Sequence, residues 1–290
     1  MKTAIIGAGK MGRWFTEFFL EQGDSVIVSS RSKGKLLKIR DEFGVETASN
    51  VGAVKNADRV LICVPIDAFE DVVKEIHPYI RPDQVVMDIC SIKETPVKVM
   101  HKYIKTGTIL GTHPVFGPGA KSIKNQNFIF TPINSKEKRF AGDFKAWLEK
   151  RQANVFIMSP RNHDELMSMV LGLPHFLGFV VCDTLLSYPN FPETRKVAGA
   201  SYRMLLTLAE AIASEEAEFY TSLQMTLPEM DKIESLFHEK TKEWLKIVKQ
   251  KDRLTLANKI KLVQTKLEKE NPAYAKSYEV MHRLLATIEN

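Results

Sequence analysis

Only three cysteines occur in 290 residues, Cys63, Cys90 and Cys182, far apart and with neither a CxxC pair nor metal-ligand spacing. A disulfide framework and a structural zinc site are excluded, no metal is expected, and a reducing, cytoplasmic setting is the simplest compartment. The N-terminus lacks a cleavable apolar leader and runs directly into a strand pattern followed by glycines. No run of about 18 apolar residues stands out, so the expectation is a soluble, unprocessed chain with no membrane partner. Nor is charge of one sign concentrated. The 41 Lys and Arg exceed 35 acidic residues by a formal +6, but the signs are mixed, whereas a nucleic-acid stripe needs clustered bases with few acids between them. Nucleic acid is not an expected partner, and the small basic excess suits anionic small molecules.

What the first half does contain is alternation. Apolar runs over 3–6, 25–28, 60–63, 85–88, 109–111, 128–131 and 155–158 read as strands, with amphipathic helices over 11–22, 35–43, 69–80, 96–103 and 137–150. Strands alternating with helices imply a doubly wound parallel sheet. After residue 158 the strand pattern stops, and helical periodicity continues to the C-terminus with breaks near 188–192, 226–228 and 271–272. The expected organisation is an α/β domain over 1–158 and an all-α domain over 159–290. Amphipathic helices of this kind leave apolar faces to cover, and two-fold pairing is the commonest closed solution, so a homodimer is expected.

The segment Gly7-Ala8-Gly9-Lys10-Met11-Gly12 follows the first strand and opens the first helix, the context a dinucleotide fingerprint requires. It marks the first domain as Rossmann-type. Gly7 permits the tight turn, Gly9 lets the backbone approach a pyrophosphate, Gly12 lets helix and strand pack closely, and the helix N-terminus, with Lys10 and Met11 in its first turn, attracts the anion. An NAD site normally carries an acidic side chain about twenty residues on, against the ribose 2′-hydroxyl. Here the second strand ends Ser29-Ser30-Arg31 instead. Ser30 and Arg31 can hold a 2′-phosphate by charge-assisted hydrogen bonds, with Lys33 and Lys35 nearby, so NADP is the expected cofactor and NAD an alternative.

Two further segments lie at strand ends, where open α/β sheets bind ligands. One is Asp88-Ile89-Cys90-Ser91-Ile92-Lys93. The other is Gly111-Thr112-His113-Pro114-Val115-Phe116-Gly117-Pro118-Gly119, a loop whose prolines and glycines would hold one histidine rigidly. His113 is the candidate general base, although a lone histidine after a strand is more often structural.

Together with the fingerprint, these segments resemble the prephenate dehydrogenase family, in which an HPMFGP loop follows a DxxSxK strand end; this chain has Val115 in place of the methionine. The resemblance continues through Ser159 to Asp164, ending in His163-Asp164, through Leu173-Pro174-His175, and through Ala200-Ser201-Tyr202-Arg203. It covers the chain from Gly7 to about Gln224. It implies oxidative decarboxylation of prephenate, or of arogenate or an amino-substituted prephenate, with hydride transfer to a nicotinamide cofactor. His113 would be the base, with a pKa expected near about 6.5 unless the site shifts it. Ser91 would orient the imidazole or the substrate hydroxyl, Arg203 would clamp a substrate carboxylate, and His175 would reach the substrate.

Read from the residues alone, Arg203 fits a surface arginine paired with Glu210, and His175 fits a packed core histidine on a stripe with Met167, Leu171 and Gly178. His163-Asp164 reads as a helix start, its acid near the positive dipole end. Pro174 removes the hydrogen bond to the Val170 carbonyl and is expected to kink its helix. Many relatives carry another histidine where this chain has Gly172. A hydroxyacid dehydrogenase or imine reductase would rely on a lysine or acid in the helical half, and a non-catalytic dinucleotide sensor would need no histidine loop; the concentration of candidates at Ser91 and His113 favours the dehydrogenase.

Overall fold

A computed structural model describes residues 1–288; the last two positions of the helical half, Glu289 and Asn290, lie outside the described residues. The chain forms two compact units, one of Met1–Met167 with Met225–Leu227, the other of Ser168–Gln224 with the chain from Pro228 on.

The first unit is built on eight strands, β1 (Lys2–Ile6), β2 (Ser25–Ser29), β3 (Glu46–Ala48), β4 (Arg59–Ile62), β5 (Val85–Asp88), β6 (Thr108–Pro114), β7 (Asn127–Phe130) and β8 (Asn154–Ile157). Its helices are α1 (Lys10–Glu21), α2 (Lys33–Phe43), α3 (Asn50–Lys55), α4 (Ile66–Ile76), α5 (Glu94–Tyr103), α6 (Ser135–Glu149) and α7 (Pro160–Met167). The strand order β3-β2-β1-β4-β5-β6-β7-β8 reverses direction between β1 and β4, which opens the ligand-binding crevice of a doubly wound sheet at the ends of those two strands. Central strands are apolar on both faces because helices cover both: Ala4, Ile5 and Ile6 of β1 are essentially fully buried. Phe15, Phe18 and Phe19 of α1 turn one aromatic face into that core.

Three features depart from the sequence expectations. The sheet is not wholly parallel, because β6 and β7 pair antiparallel, Thr112 opposite Phe130 and Pro114 opposite Phe128. Parallel neighbours need a crossover element, and residues 115–126 contain no helix or strand, so the chain simply turns back. Second, β6 extends through Pro114, so His113 lies in a paired strand rather than in a loop. Third, β3 and α3 were not expected; β3 is three residues long, two of them exposed, and so lacks an apolar alternation.

In the second unit lie α8 (Leu173–Leu186), α9 (Phe191–Lys196), α10 (Ala200–Ala213), α11 (Ala217–Thr226), α12 (Met230–Gln250), α13 (Arg253–Glu270) and α14 (Ser277–Ile288). The expected interruptions fall between α8 and α9, between α11 and α12, and after α13. Helices α8 and α10 approach closely at Gly178, where a Cβ would lie 2.6 Å from Ile212 Cδ1. Ahead of α8 the backbone widens into one π turn, Ser168–Gly172. Pro174 has no N–H to give the Val170 carbonyl, and a π turn rather than a sharp break accommodates the loss. The Gly172 carbonyl accepts from Gln224 Nε2 at 2.9 Å.

Taken as one helical stretch, Pro160–Leu186 spans 27 residues and is long and apolar enough to cross a membrane by length and composition, which corrects the expectation that no such stretch exists. Only 11% of its most apolar window is buried within the chain.

Candidate active site

The glycine fingerprint sits where β1 gives way to α1. Gly7 has φ +123°, and a Cβ there would lie 2.2 Å from the Cys63 carbonyl oxygen at the end of β4; one on Gly12 would lie 1.9 Å from the Gly7 carbonyl oxygen. Packing alone therefore requires glycine at both positions. Gly9, the N-cap of α1, differs: a Cβ there would meet nothing within 4 Å. The middle glycine faces open space at a helix N-terminus whose first turn holds no acid, an arrangement that fits a bound pyrophosphate. Lys10 is exposed and Met11 half-buried in the first turn. At the end of β2, Ser30 Oγ accepts from the Ser32 N–H at 3.2 Å. Arg31 is exposed, and among the described residues no hydrogen bond or ion pair engages it.

A buried polar cluster occupies the ends of β5 and β6. Asp88 accepts from the backbone N–H of Cys90 (2.9 Å) and of Thr112 (3.2 Å), and its carboxylate is paired with Lys93. The Lys93 ammonium also donates to the Thr112 carbonyl at 2.6 Å. Both charged side chains are fully buried, which is tolerable only because each is paired and hydrogen-bonded. Glycine at 111 is required by this crowding, since a Cβ would fall 2.4 Å from Thr131 Oγ1. The cluster therefore pins the backbone of Thr112, the residue before His113.

His113 is 3% exposed and paired in register with Ile129 of β7. Its Nδ1 lies 2.8 Å from Nε2 of His163 in α7, and His163 Nδ1 lies 2.7 Å from Asp164 Oδ1. The Asp164 carboxylate in turn accepts from the backbone N–H groups of Lys93 (2.6 Å) and Glu94 (2.9 Å). Asp164 was read as belonging to the start of its own helix; the dipole it faces is that of α5, whose N-terminus it caps. Burial, with His163 and Lys93 close by, pushes the His113 pKa well below the usual imidazole value, so the expectation of about 6.5 is corrected downward. Burial also lowers that of His163, opposed by its hydrogen bond to Asp164.

Ser91 is half-buried, and among the described residues it makes no hydrogen bond to His113, whose Nδ1 is taken by His163. Within the helical unit, His175 packs edge-on against Tyr220 at 4.8 Å, with its Nδ1 buried and unpartnered and its pKa lowered by burial. Arg203 lines a cleft of about 420 Å³ with Arg195, Leu206, Thr207 and Glu210. Glu210 accepts from Arg195 at 2.6 Å. Asp88, Lys93, His163 and Asp164 were quoted in the sequence motifs but given no place in the site. The available signal was an adjacent His-Asp pair opening an otherwise apolar helical stretch.

Residues 18–157 match the family model described as the prephenate dehydrogenase nucleotide-binding domain, and residues 159–262 match the prephenate dehydrogenase dimerization domain. A probable arogenate/prephenate dehydrogenase of Methanocaldococcus jannaschii is 36% identical over 254 residues, which is 86% of this chain and 57% of that protein. The arogenate dehydrogenase 1 of Arabidopsis thaliana is 26% identical over 84% of this chain and 39% of its own length. The chain thus spans little more than half the length of the first, and less of the second. Among solved structures, prephenate dehydrogenase from A. aeolicus in complex with hydroxyphenyl propionate and NAD+ superposes with a TM-score of 0.77 at 20% identity, covering 93% of this chain and 98% of that one. Synechocystis arogenate dehydrogenase superposes with a TM-score of 0.71 at 16% identity, covering 93% of this chain and 100% of that one. Two adjoining family models in the expected order, over a sheet that carries the dinucleotide cradle, lead to one conclusion: the chain belongs to the prephenate dehydrogenase family.

Proposed function

We propose that this chain is a nicotinamide-dependent dehydrogenase of tyrosine biosynthesis that oxidatively decarboxylates prephenate to 4-hydroxyphenylpyruvate. The observation that carries this reading is His113: a buried imidazole held neutral in β6, with Nδ1 occupied and Nε2 left to take a proton, at a strand end of a doubly wound sheet. When bound, the cofactor accepts the hydride released from the ring carbon that bears the hydroxyl. Gly7, Gly9 and Gly12, with Lys10 and Met11, form its pyrophosphate cradle, and Ser30 with Arg31 favours the 2′-phosphate of NADP over NAD.

His113 accepts the hydroxyl proton at Nε2 as the carbonyl forms. Decarboxylation then aromatises the ring, and the same proton returns to the phenolate oxygen. With Nδ1 of His113 taken, Ser91 serves the substrate hydroxyl rather than the imidazole. Arg203 clamps the side-chain carboxylate, and the unpartnered Nδ1 of His175 offers a further substrate contact. Arogenate shares that carboxylate and the ring, and the name of the Methanocaldococcus relative carries both substrates.

A division near residue 158 into a cofactor domain and a substrate and dimerisation domain is supported by the two family models, which adjoin there, although the compact first unit runs on through α7 to Met167. A homodimer is supported by the dimerization-domain match and by exposed apolar side chains in α8 and α10, among them Leu186 and Leu208. Free Cys63, Cys90 and Cys182 fit a reducing, cytoplasmic setting. The test is purified protein with NADP or NAD and either prephenate or arogenate, following reduced-cofactor absorbance. Turnover of either supports the reading. No turnover with any combination overturns it and leaves a dinucleotide-sensing protein.

A further inference from the structure

We infer that His163, backed by Asp164, is a positioning residue that sets the tautomer of His113 and takes up the proton His113 removes, so that the base of this site is a pair of histidines rather than one. The inference rests on the reading of His113 as the base. It starts from the donors and acceptors along the chain His113, His163, Asp164.

The Asp164 carboxylate already accepts two backbone N–H groups, those of Lys93 and Glu94, and can offer His163 Nδ1 only an acceptor. At 2.7 Å from it, His163 Nδ1 must carry the hydrogen. In a neutral ring the other nitrogen is then an acceptor, and it lies 2.8 Å from His113 Nδ1. The His113 Nδ1 must in turn be the donor, which leaves the lone pair on Nε2, the atom a base needs. Were Asp164 absent or His163 charged, His163 Nε2 would donate instead, and His113 would hold its hydrogen on Nε2, where it could accept nothing from a substrate.

The same chain provides for the proton. When the substrate hydroxyl loses its proton to His113 Nε2, the O–H electron pair stays on oxygen to form the carbonyl, and the His113 Nδ1–H proton moves to His163 Nε2. The positive charge then rests on His163, 2.7 Å from the Asp164 carboxylate, rather than on His113, which has no carboxylate hydrogen-bonded to it among the described residues. The charged and titratable groups around the pair are Asp88 at the end of β5, Lys93 before α5 and Asp164 in α7; the remaining acid, Asp88, is committed to Lys93. His163 is fully buried, with no exposed surface through which to exchange a proton with water. The reaction needs none: the hydroxyl proton is returned to the phenolate once carbon dioxide has left, so the pair only stores it. A buried second histidine suits a borrowed proton and would hinder one that had to be released.

The test has two arms. Ring nitrogen NMR of histidine-labelled wild-type protein at neutral pH should show His113 and His163 both protonated at Nδ1 and bare at Nε2; a hydrogen on His113 Nε2 overturns the inference whether or not the chain turns over prephenate. In kinetics, His163→Phe keeps a ring but loses the acceptor, and should lower kcat about 100-fold with KM changed less than about twofold, as expected when proton transfer is impaired. His163→Gln can accept the Nδ1–H through its amide oxygen but cannot take the proton, and should recover part of that loss. Wild-type kcat in either variant overturns the inference. His113→Asn separates the two levels: if it remains active, the reading of His113 as base fails, whereas an inactive His113→Asn beside a fully active His163→Phe rejects only the paired histidines.

Discussion

In the sheet unit, Asp88, Lys93, Thr112, His113, His163 and Asp164 are at most 4% exposed and are joined by hydrogen bonds at the ends of two strands. In the helical unit the pattern is inverted: Leu186, Leu208 and Val248 stand 71%, 53% and 56% exposed. Buried polar groups need partners, and the groups of this cluster find them largely in one another. Exposed apolar faces require a cover, which the second unit does not find within itself. Substitutions should accordingly cost folding stability in the first region and packing or assembly in the second.

The largest effect is expected from Asp88→Ala. It leaves the Lys93 ammonium buried without its carboxylate and removes the acceptor of the Cys90 and Thr112 N–H groups, at a cost of about 3–5 kcal/mol. Denaturant midpoints measure this, and a loss below about 1 kcal/mol would break the contrast between the units. Next is Arg31→Ala at the edge of the cofactor cradle, an exposed site where folding should be untouched. Losing a charge-assisted hydrogen bond of about 1.5–3 kcal/mol should raise the KM for NADP about tenfold or more while that for NAD stays within about twofold; equal effects on both remove the 2′-phosphate assignment. A smaller effect is expected in the helical unit. Gly178→Val forces a side chain against Ile212 and should destabilise by about 1–3 kcal/mol, visible as a lower Tm, while an unchanged Tm would mean that α8 and α10 can part freely.

Much of the sheet unit was legible beforehand because its signals are local. The fingerprint at Gly7 to Gly12 could be read from spacing, and the structure returns the same division of labour, two glycines locked by contact and one facing open space. Strand β5 fell on the expected residues for the same reason, a short apolar run between polar neighbours. Legibility failed where partners are distant in sequence. His113 and His163 are 50 residues apart, and Lys93 and Asp164 are 71 apart, so neither hydrogen bond leaves a periodic trace. Local reading assigned His163-Asp164 to its own helix, whereas Asp164 accepts from the N-terminal N–H groups of Lys93 and Glu94 at the start of α5. The antiparallel return of β7 was missed because a strand's direction is set by the connection before it, not by its own residues. The helical stretch Pro160–Leu186 was overlooked because it opens on a polar run, Arg161 to Glu165, and His175 and Asp183 interrupt the remainder, although one 18-residue window in it is apolar enough to span a membrane.

The central claim is that a buried, neutral His113 takes the substrate proton, and the dependence of kcat/KM on pH tests it most directly. A histidine whose pKa is lowered by burial stays neutral above that lowered value, so activity should persist as pH falls past about 6.5 and decline only below it. An acid limb with its midpoint at or above about 6.5 would contradict the account, because the group responsible would then be an unburied histidine and not His113.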